Sequence, residues 1–224
     1  VYESMGRIWL EHSTNNGTSW GLLNNNEPIS AGTAKHPSIT QVGQSQVIIA
    51  YQALNSDGTS YSIIAVLYDL AYNQVLNQTV ITNQIDKLYS EDATVTIGCS
   101  RSGITDFLIV WREEDYGTFL PGGLYYWLGH VVTNQNNPNG TIEMITNGMI
   151  GSTTTSSVNP TIGCKFEQIT YPVKFHLVWQ NNVSSSASTI QYREITYNGQ
   201  QLTLGTEQVL SNGSGYTKNH NPST

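Results

Sequence analysis

The densest group of side chains able to do chemistry lies between Arg112 and Gly123. Arg112, Glu113, Glu114, Asp115, Tyr116 and Phe119 fall there in one apparent loop. Carboxylates and a guanidinium make charge-assisted hydrogen bonds to hydroxyls. Aromatic rings offer broad faces for stacking. The combination reads as a place to hold a sugar, or as a solvated loop. Asp57, in "NSDGTSY", adds a carboxylate at an Asp-Gly turn. Two carboxylates can also hydrolyse a glycosidic bond. Among Asp57, Glu91, Asp92, Glu113, Glu114 and Asp115, however, no spacing sets two at a defined distance. Binding without catalysis is therefore the expectation, with a glycoside hydrolase as the alternative. Carboxylates at 113–115 or 91–92 could hold Ca²⁺, but their spacing is not that of an EF-hand. No other cofactor is expected. The five histidines form no dense ligand cluster with the cysteines.

These residues hang on a repeat. "KHPSIT" (35–40), "EDATVTIGC" (91–99), "VNPTIGC" (158–164) and "NHNPST" (219–224) resemble one another. After the first three come apolar runs ending in an aromatic: "QVIIAYQ" (46–52), "DFLIVWRE" (106–113) and "KFHLVWQ" (174–180). A third series, "GRIWLEHS", "YSIIAVLYDL", "GLYYWLGHVV" and "STIQYREIT", and a fourth, "LLNNNEPIS", "VLNQTVITN", "TIEMITNG" and "LTLGTEQVL", close each unit. The runs are short, β-branched and aromatic, and are punctuated by Gly, Asn and Ser. Four strands per ~60-residue unit predict an all-β chain of four-stranded antiparallel β-propeller blades. About four blades are represented, with units near 1–34, 35–90, 91–157 and 158–218, and the start of a further strand at 219–224. The continuous apolar runs are expected for strands buried on both faces. A sandwich or a solenoid is the competing architecture.

Between the third and fourth strands of the first unit stands "STNNGTSW". Ser13, Gly17, Ser19 and Trp20 match the pattern Ser/Thr-x-Asp-x-Gly-x-Thr/Ser-Trp, with Asn15 at the Asp position. The stretch resembles the Asp-box of the sialidase-like (BNR) propeller family. Asn15 retains an acceptor for turn amides, Gly17 can take positive φ, and Trp20 is expected to plug the gap between sheets. The resemblance implies a structural role for these five residues. It also implies that the loops after the second and fourth strands of each blade share the functional face, which places Arg112–Phe119 and Asp57 together. Sialidase chemistry needs an arginine triad, a Tyr/Glu pair and an acidic Asp. The four arginines, Arg7, Arg101, Arg112 and Arg193, fall in phases that assemble no triad, and the family's Arg-Ile-Pro signature is absent.

The chain has 224 residues, a net charge of −7 and only 11% charged residues. The negative charge repels phosphate backbones, so nucleic acid is not an expected partner. No apolar run is long enough to span a membrane as a helix. The Ser-, Thr- and Asn-rich composition points to an extracellular or cell-surface protein. Five sequons, at Asn16, Asn77, Asn139, Asn182 and Asn212, are weak support in so Asn-rich a chain. The chain begins at Val1 and is read as a piece of something longer. Cys99 and Cys164 end equivalent "TIGC" strands. A disulfide or two thiols are both open, since equivalent points on neighbouring sheets often exceed the bridging distance. The expected partner is a glycan or a protein. The rival among non-enzymes is an architectural unit that self-associates through blade edges.

Overall fold

The computed structural model describes residues 1–82, 88–101, 104–115, 123–134, 137–151, 156–164, 170–182 and 188–212. For 88–101, 114–115, 134, 137–138, 156, 158 and 212 it describes the backbone alone. The chain is all-β, built of several antiparallel sheets. No α-helix occurs among the described residues.

The first unit is made of two small hairpins, β1 (Tyr2–Ser4) with β2 (Arg7–Trp9), and β3 (Glu11–His12) with β4 (Gly21–Leu22). The sequence predicts two longer strands over 6–13 and 22–30. The second ends early because Asn24, Asn25 and Asn26 all take positive φ, which no strand accommodates. The backbone N–H of Asn24 is bound instead by Tyr68 Oη and Asn73 Oδ1, both at 2.7 Å.

Three four-stranded meanders follow. The second unit comprises β5 (Ala34–Gln41), β6 (Gln46–Leu54), β7 (Tyr61–Asp69) and β8 (Gln74–Val80), paired in that order. The third comprises β9 (Leu88–Arg101), β10 (Ile104–Asp115), β11 (Gly123–Asn134) and β12 (Asn137–Met149). The fourth comprises β13 (Ser156–Cys164), β14 (Val173–Asn182) and β15 (Ser188–Tyr197), whose outer edge is divided between β16 (Leu202–Leu204) and β17 (Gln208–Asn212). One parallel pair, Tyr61 with Tyr89, joins the backbones of the second and third units.

The meanders pack face to face in chain order. Along β6, Val47, Ile49 and Tyr51 point to the first unit and meet Ile8 and Leu10. The alternate residues Ile48 and Ala50 point the other way, onto Phe107, Ile109, Trp111 and Trp127 of the third unit. Along β10, Leu108 and Val110 turn to Phe175, Leu177 and Trp179 of the fourth. Successive strand residues face opposite sides. A strand covered on both sides must therefore be apolar at every position, as "VIIAY" and "FLIVW" are. Each large side chain so buried contributes about 1.5–3 kcal/mol.

Every central strand runs between the same two ends. At one, here the upper end, β5, β9 and β13 begin, β6, β10 and β14 finish, and β7, β11 and β15 begin. The opposite end holds the turns into β6, β10 and β14.

Candidate functional site

Arg112, Glu113, Glu114 and Asp115 lie at the upper end of the third unit, but not in a loop. β9 starts at Leu88, so Asp115 pairs with Leu88, Glu114 with Tyr89, Glu113 with Ser90 and Arg112 with Glu91. The charged run reads as loop in the sequence; a partner strand of equal length draws it into the sheet. The side chains of Glu114 and Asp115, and all of Tyr116 and Phe119, lie outside the described residues.

Strand alternation then separates neighbours. Trp111 and Glu113 face the second unit, whereas Arg112 faces the fourth. Trp111 Nε1 donates to Glu113 Oε1 at 2.7 Å. Across the strand pair, Trp111 stands opposite Tyr125 and Glu113 opposite Gly123. The Trp111 and Tyr125 rings stack 6.1 Å apart at 23°. With no side chain on Gly123, the Tyr125 ring leans over it; a Cβ there would lie 3.3 Å from Tyr125 and 3.4 Å from Met149 Sδ. Burial raises the Glu113 carboxyl above its ordinary value, and the indole bond offsets this in part. Burial and the neighbouring Glu113 charge both raise Tyr125.

On its face toward the third unit, the second unit carries Lys35, Gln52 and Tyr61 at the same end. Lys35 and Gln52 are a cross-strand pair. The Lys35 ammonium lies 5.4 Å from the centre of the Tyr61 ring, a contact worth about 0.5–1 kcal/mol when exposed. Gln52 is 2% exposed, and its Oε1 has no hydrogen-bond partner among the described residues. Three more side-chain amide oxygens share that condition: Gln180 Oε1, Asn181 Oδ1 and Gln191 Oε1. All four belong to upper-end residues, two of them following the repeated aromatics Tyr51 and Trp179. Buried acceptors are normally satisfied by protein or water, so four at one end mark it out. The repeat shows these glutamines in the sequence, yet nothing there tells that they are buried.

Asp57 serves its own turn. Its Oδ1 accepts from Thr59 N and Ser60 N, both at 2.9 Å, and its Oδ2 from the Ser60 hydroxyl at 2.5 Å. These bonds hold its pKa down to about 2. Three donors of its own turn thus meet the carboxylate of Asp57. A depressed pKa stabilises the fold above the ordinary Asp value and ceases to do so as pH falls through the folded one. The parent is therefore expected to lose stability between about pH 4 and about pH 2, and Asp57→Ala to lose less there. Melting both across that range checks it; parallel curves would refute the assignment.

The stretch 13–20 forms a comparable lock. Ser13 Oγ accepts from Gly17 N at 2.7 Å, and Asn15 Oδ1 accepts from Ser19 N at 2.9 Å. Asn15 Nδ2 also donates to Ser19 Oγ at 2.8 Å, a bond an aspartate could not make. Gly17 has φ +83°. Trp20 does not plug a gap: it is 62% exposed. With only β3 and β4 beside it, the small hairpin has no second sheet to bury the indole.

The two arginines with described side chains outside the site are committed elsewhere. Arg7 Nη1 donates to Ala31 O at 2.9 Å. Arg193 Nη1 donates to Ile150 O, and its Nη2 meets Glu207 Oε2 at 3.2 Å. The side chain of Arg101 lies outside the described residues. Cys164 is half-buried at the end of β13, and the side chain of Cys99 likewise lies outside them. Among the described residues no three His, Cys, Asp or Glu side chains gather as a metal site; those of Glu91 and Asp92 are not among them.

One group gave no sequence signal. Asp106, fully buried in β10, accepts from Tyr171 Oη at 2.6 Å. His130 lies beside it, Nδ1 3.9 Å from Asp106 Oδ1 and Nε2 3.3 Å from Glu143 Oε2. The cluster sits at the lower end and joins the third unit to the fourth.

No protein-family model and no curated protein matches this chain. Its function must be argued from the upper end itself.

Proposed function

We propose that the chain is a non-catalytic binding module, built from β-propeller blades of the sialidase-like kind and working outside the cell or at its surface. It recognises a glycan or a protein through the upper ends of its sheets. The observation that carries the reading is the set of four buried amide oxygens without partners among the described residues, all at the end of the sheets that also holds the Trp111–Glu113–Tyr125 array. Acceptors left open at one end favour a ligand that supplies donors. Support for the blades comes from four-stranded meanders stacked in chain order with both faces covered, and from the Ser13–Ser19 lock. Binding is preferred to catalysis because the Asp57 carboxylate is used in its own turn and Glu113 has no second described carboxylate at its side.

Self-association is the second reading. The first unit exposes Met5 at 97% and Trp20 at 62%, more than its few strands can cover, and exposed apolar side chains beside open edges favour contact with another copy.

A glycan array probed with the chain tests the first reading. Retention of one glycan class, released when Glu113 is changed to alanine, is expected. An array that retains nothing would leave glycan recognition without support. Particle mass in solution tests the second: a multiple of 24.7 kDa supports association, and a monomer counts against it.

A further inference from the structure

We propose that Asn16 carries an N-linked glycan whose first sugar lies over the exposed ring of Trp20. The inference rests on the part of the reading above that puts the chain outside the cell. Asn16-Gly17-Thr18 is one of five sequons, and the structure sorts them. Asn77, Asn139, Asn182 and Asn212 all stand in strands. Asn77 and Asn182 are half-buried, and Asn182 Oδ1 also accepts from Gln180 Nε2 at 2.8 Å. Asn16 stands instead at the tip of a tight turn. Thr18 N donates to Asn15 O at 3.3 Å. Between them Asn16 and Gly17 take φ +56° and +83°, the signs of a type I′ turn. Asn16 is exposed, and its side chain has no hydrogen-bond partner among the described residues. A bulky group there displaces nothing, as a surface glycan requires.

Trp20 is the second, independent pointer. It is 62% exposed, on a hairpin with no second sheet to cover it. Its Cζ2 lies 3.8 Å from the place a Cβ would take on Gly17, so the indole rests beside the residue that follows Asn16. The C–H face of an N-acetylhexosamine is apolar, and an aromatic ring is a surface on which it can pack. No charged side chain lies between Ser13 and Trp20, so a neutral sugar there strips water from no ion. In the attachment, Asn16 Nδ2 bonds to C1 of a lipid-linked diphosphate oligosaccharide. The C1–O bond breaks, the lipid diphosphate leaves with its electron pair, and one Nδ2 proton passes to a base of the transferase. The sequon also needs the Thr18 hydroxyl, which in the folded turn donates to Asn15 O at 2.9 Å. Attachment therefore precedes closure of the turn. Once covered, Trp20 is withdrawn from contact with a second copy.

The test secretes the chain from eukaryotic cells that N-glycosylate. Peptide N-glycosidase in heavy-oxygen water then turns each occupied asparagine into a labelled aspartate, read by peptide mass spectrometry. The label is expected at Asn16 in most molecules, and at half-buried Asn77 and Asn182 in few. An unlabelled Asn16, or one labelled less than either of those two, overturns the proposal. Acrylamide quenching of tryptophan fluorescence reads the cover on Trp20, because the other four tryptophans are buried or half-buried. The chain with its glycans trimmed to the first sugar is compared with Asn16→Gly, since glycine accepts the same positive φ. About twofold less quenching is expected with the sugar, one of the two ring faces being covered. Adding Trp20→Phe to both chains is expected to erase the difference. Equal quenching with Trp20 in place overturns the proposal. The chain taken from its own cells separates this site from the reading beneath it. Sugar at Asn16 is expected there too. Sugars at other sequons but not at Asn16 reject the site and leave the extracellular reading standing. A chain held inside the cell and bare at every sequon rejects both.

Discussion

Replacing Gly129 by alanine is expected to lower the unfolding midpoint by roughly 6–12 °C, the shift that about 3 kcal/mol produces in a domain of this size. Gly129 is buried in β11, and the Trp127 ring lies across it where a side chain would be. A Cβ would coincide with that ring and come within 2.9 Å of Glu143 O on the neighbouring strand. Directly across the ladder stands Phe107, whose ring is 5.4 Å from that of Trp127. Two aromatic rings thus fill the place left by one missing side chain. With alanine there, the indole must leave the core, forfeiting about 3–5 kcal/mol, or the strands must spread, at about 1–3 kcal/mol. Gly151→Ala is the control, since a Cβ there has nothing within 4 Å. A Gly129→Ala protein that melts within a degree of the parent would refute this account.

The second large effect concerns the joint between the third and fourth units. Tyr171→Phe is expected to cost about 1–3 kcal/mol, the penalty for taking a donor from a buried acceptor. The phenylalanine keeps the edge-on contact with Tyr197, at 5.3 Å between centroids. It also keeps the close seat on Gly199, where a Cβ would come within 2.7 Å of the ring. The hydroxyl bond to Asp106 is lost. Denaturant titration measures the change. If the bond is responsible, Tyr171→Phe has a smaller effect in an Asp106→Asn background, because the two act as a pair. Equal effects in both backgrounds would assign the loss to packing.

Much of the strand framework is legible in the sequence. "FLIVW" and "VIIAY" are strands because no other short element consumes an unbroken apolar run, and both faces of β6 and β10 are indeed covered. The Ser13–Ser19 lock is legible because all its donors and acceptors lie within one turn. The site is less so. "REED" reads as solvent-facing loop, and only the partner register from Leu88 onward brings it into β10. Glu113 and Arg112 are adjacent in sequence yet face different neighbours, and no local pattern announces which of the two meets Trp111. Asp106 and Tyr171 are separated by three strands, so their bond leaves no trace in spacing. Trp20 was expected inside from its motif alone; its fate depended on how much sheet lay beside it.

The units are held to one another almost wholly by side chains. Among the described residues, backbone pairing across unit boundaries is sparse, chiefly Tyr61 with Tyr89 and the Ala34 N–H donating to Gly6 O at 2.8 Å, against the full ladders inside each meander. Tension applied at the ends of the chain would therefore meet two kinds of seam. Inside a meander, neighbouring strands run antiparallel and are joined by turns, so they would unzip rung by rung. Between meanders, a wide apolar face must part all at once. Under load the protein would behave as a row of blocks that shed one at a time, the failure of each leaving the next still folded.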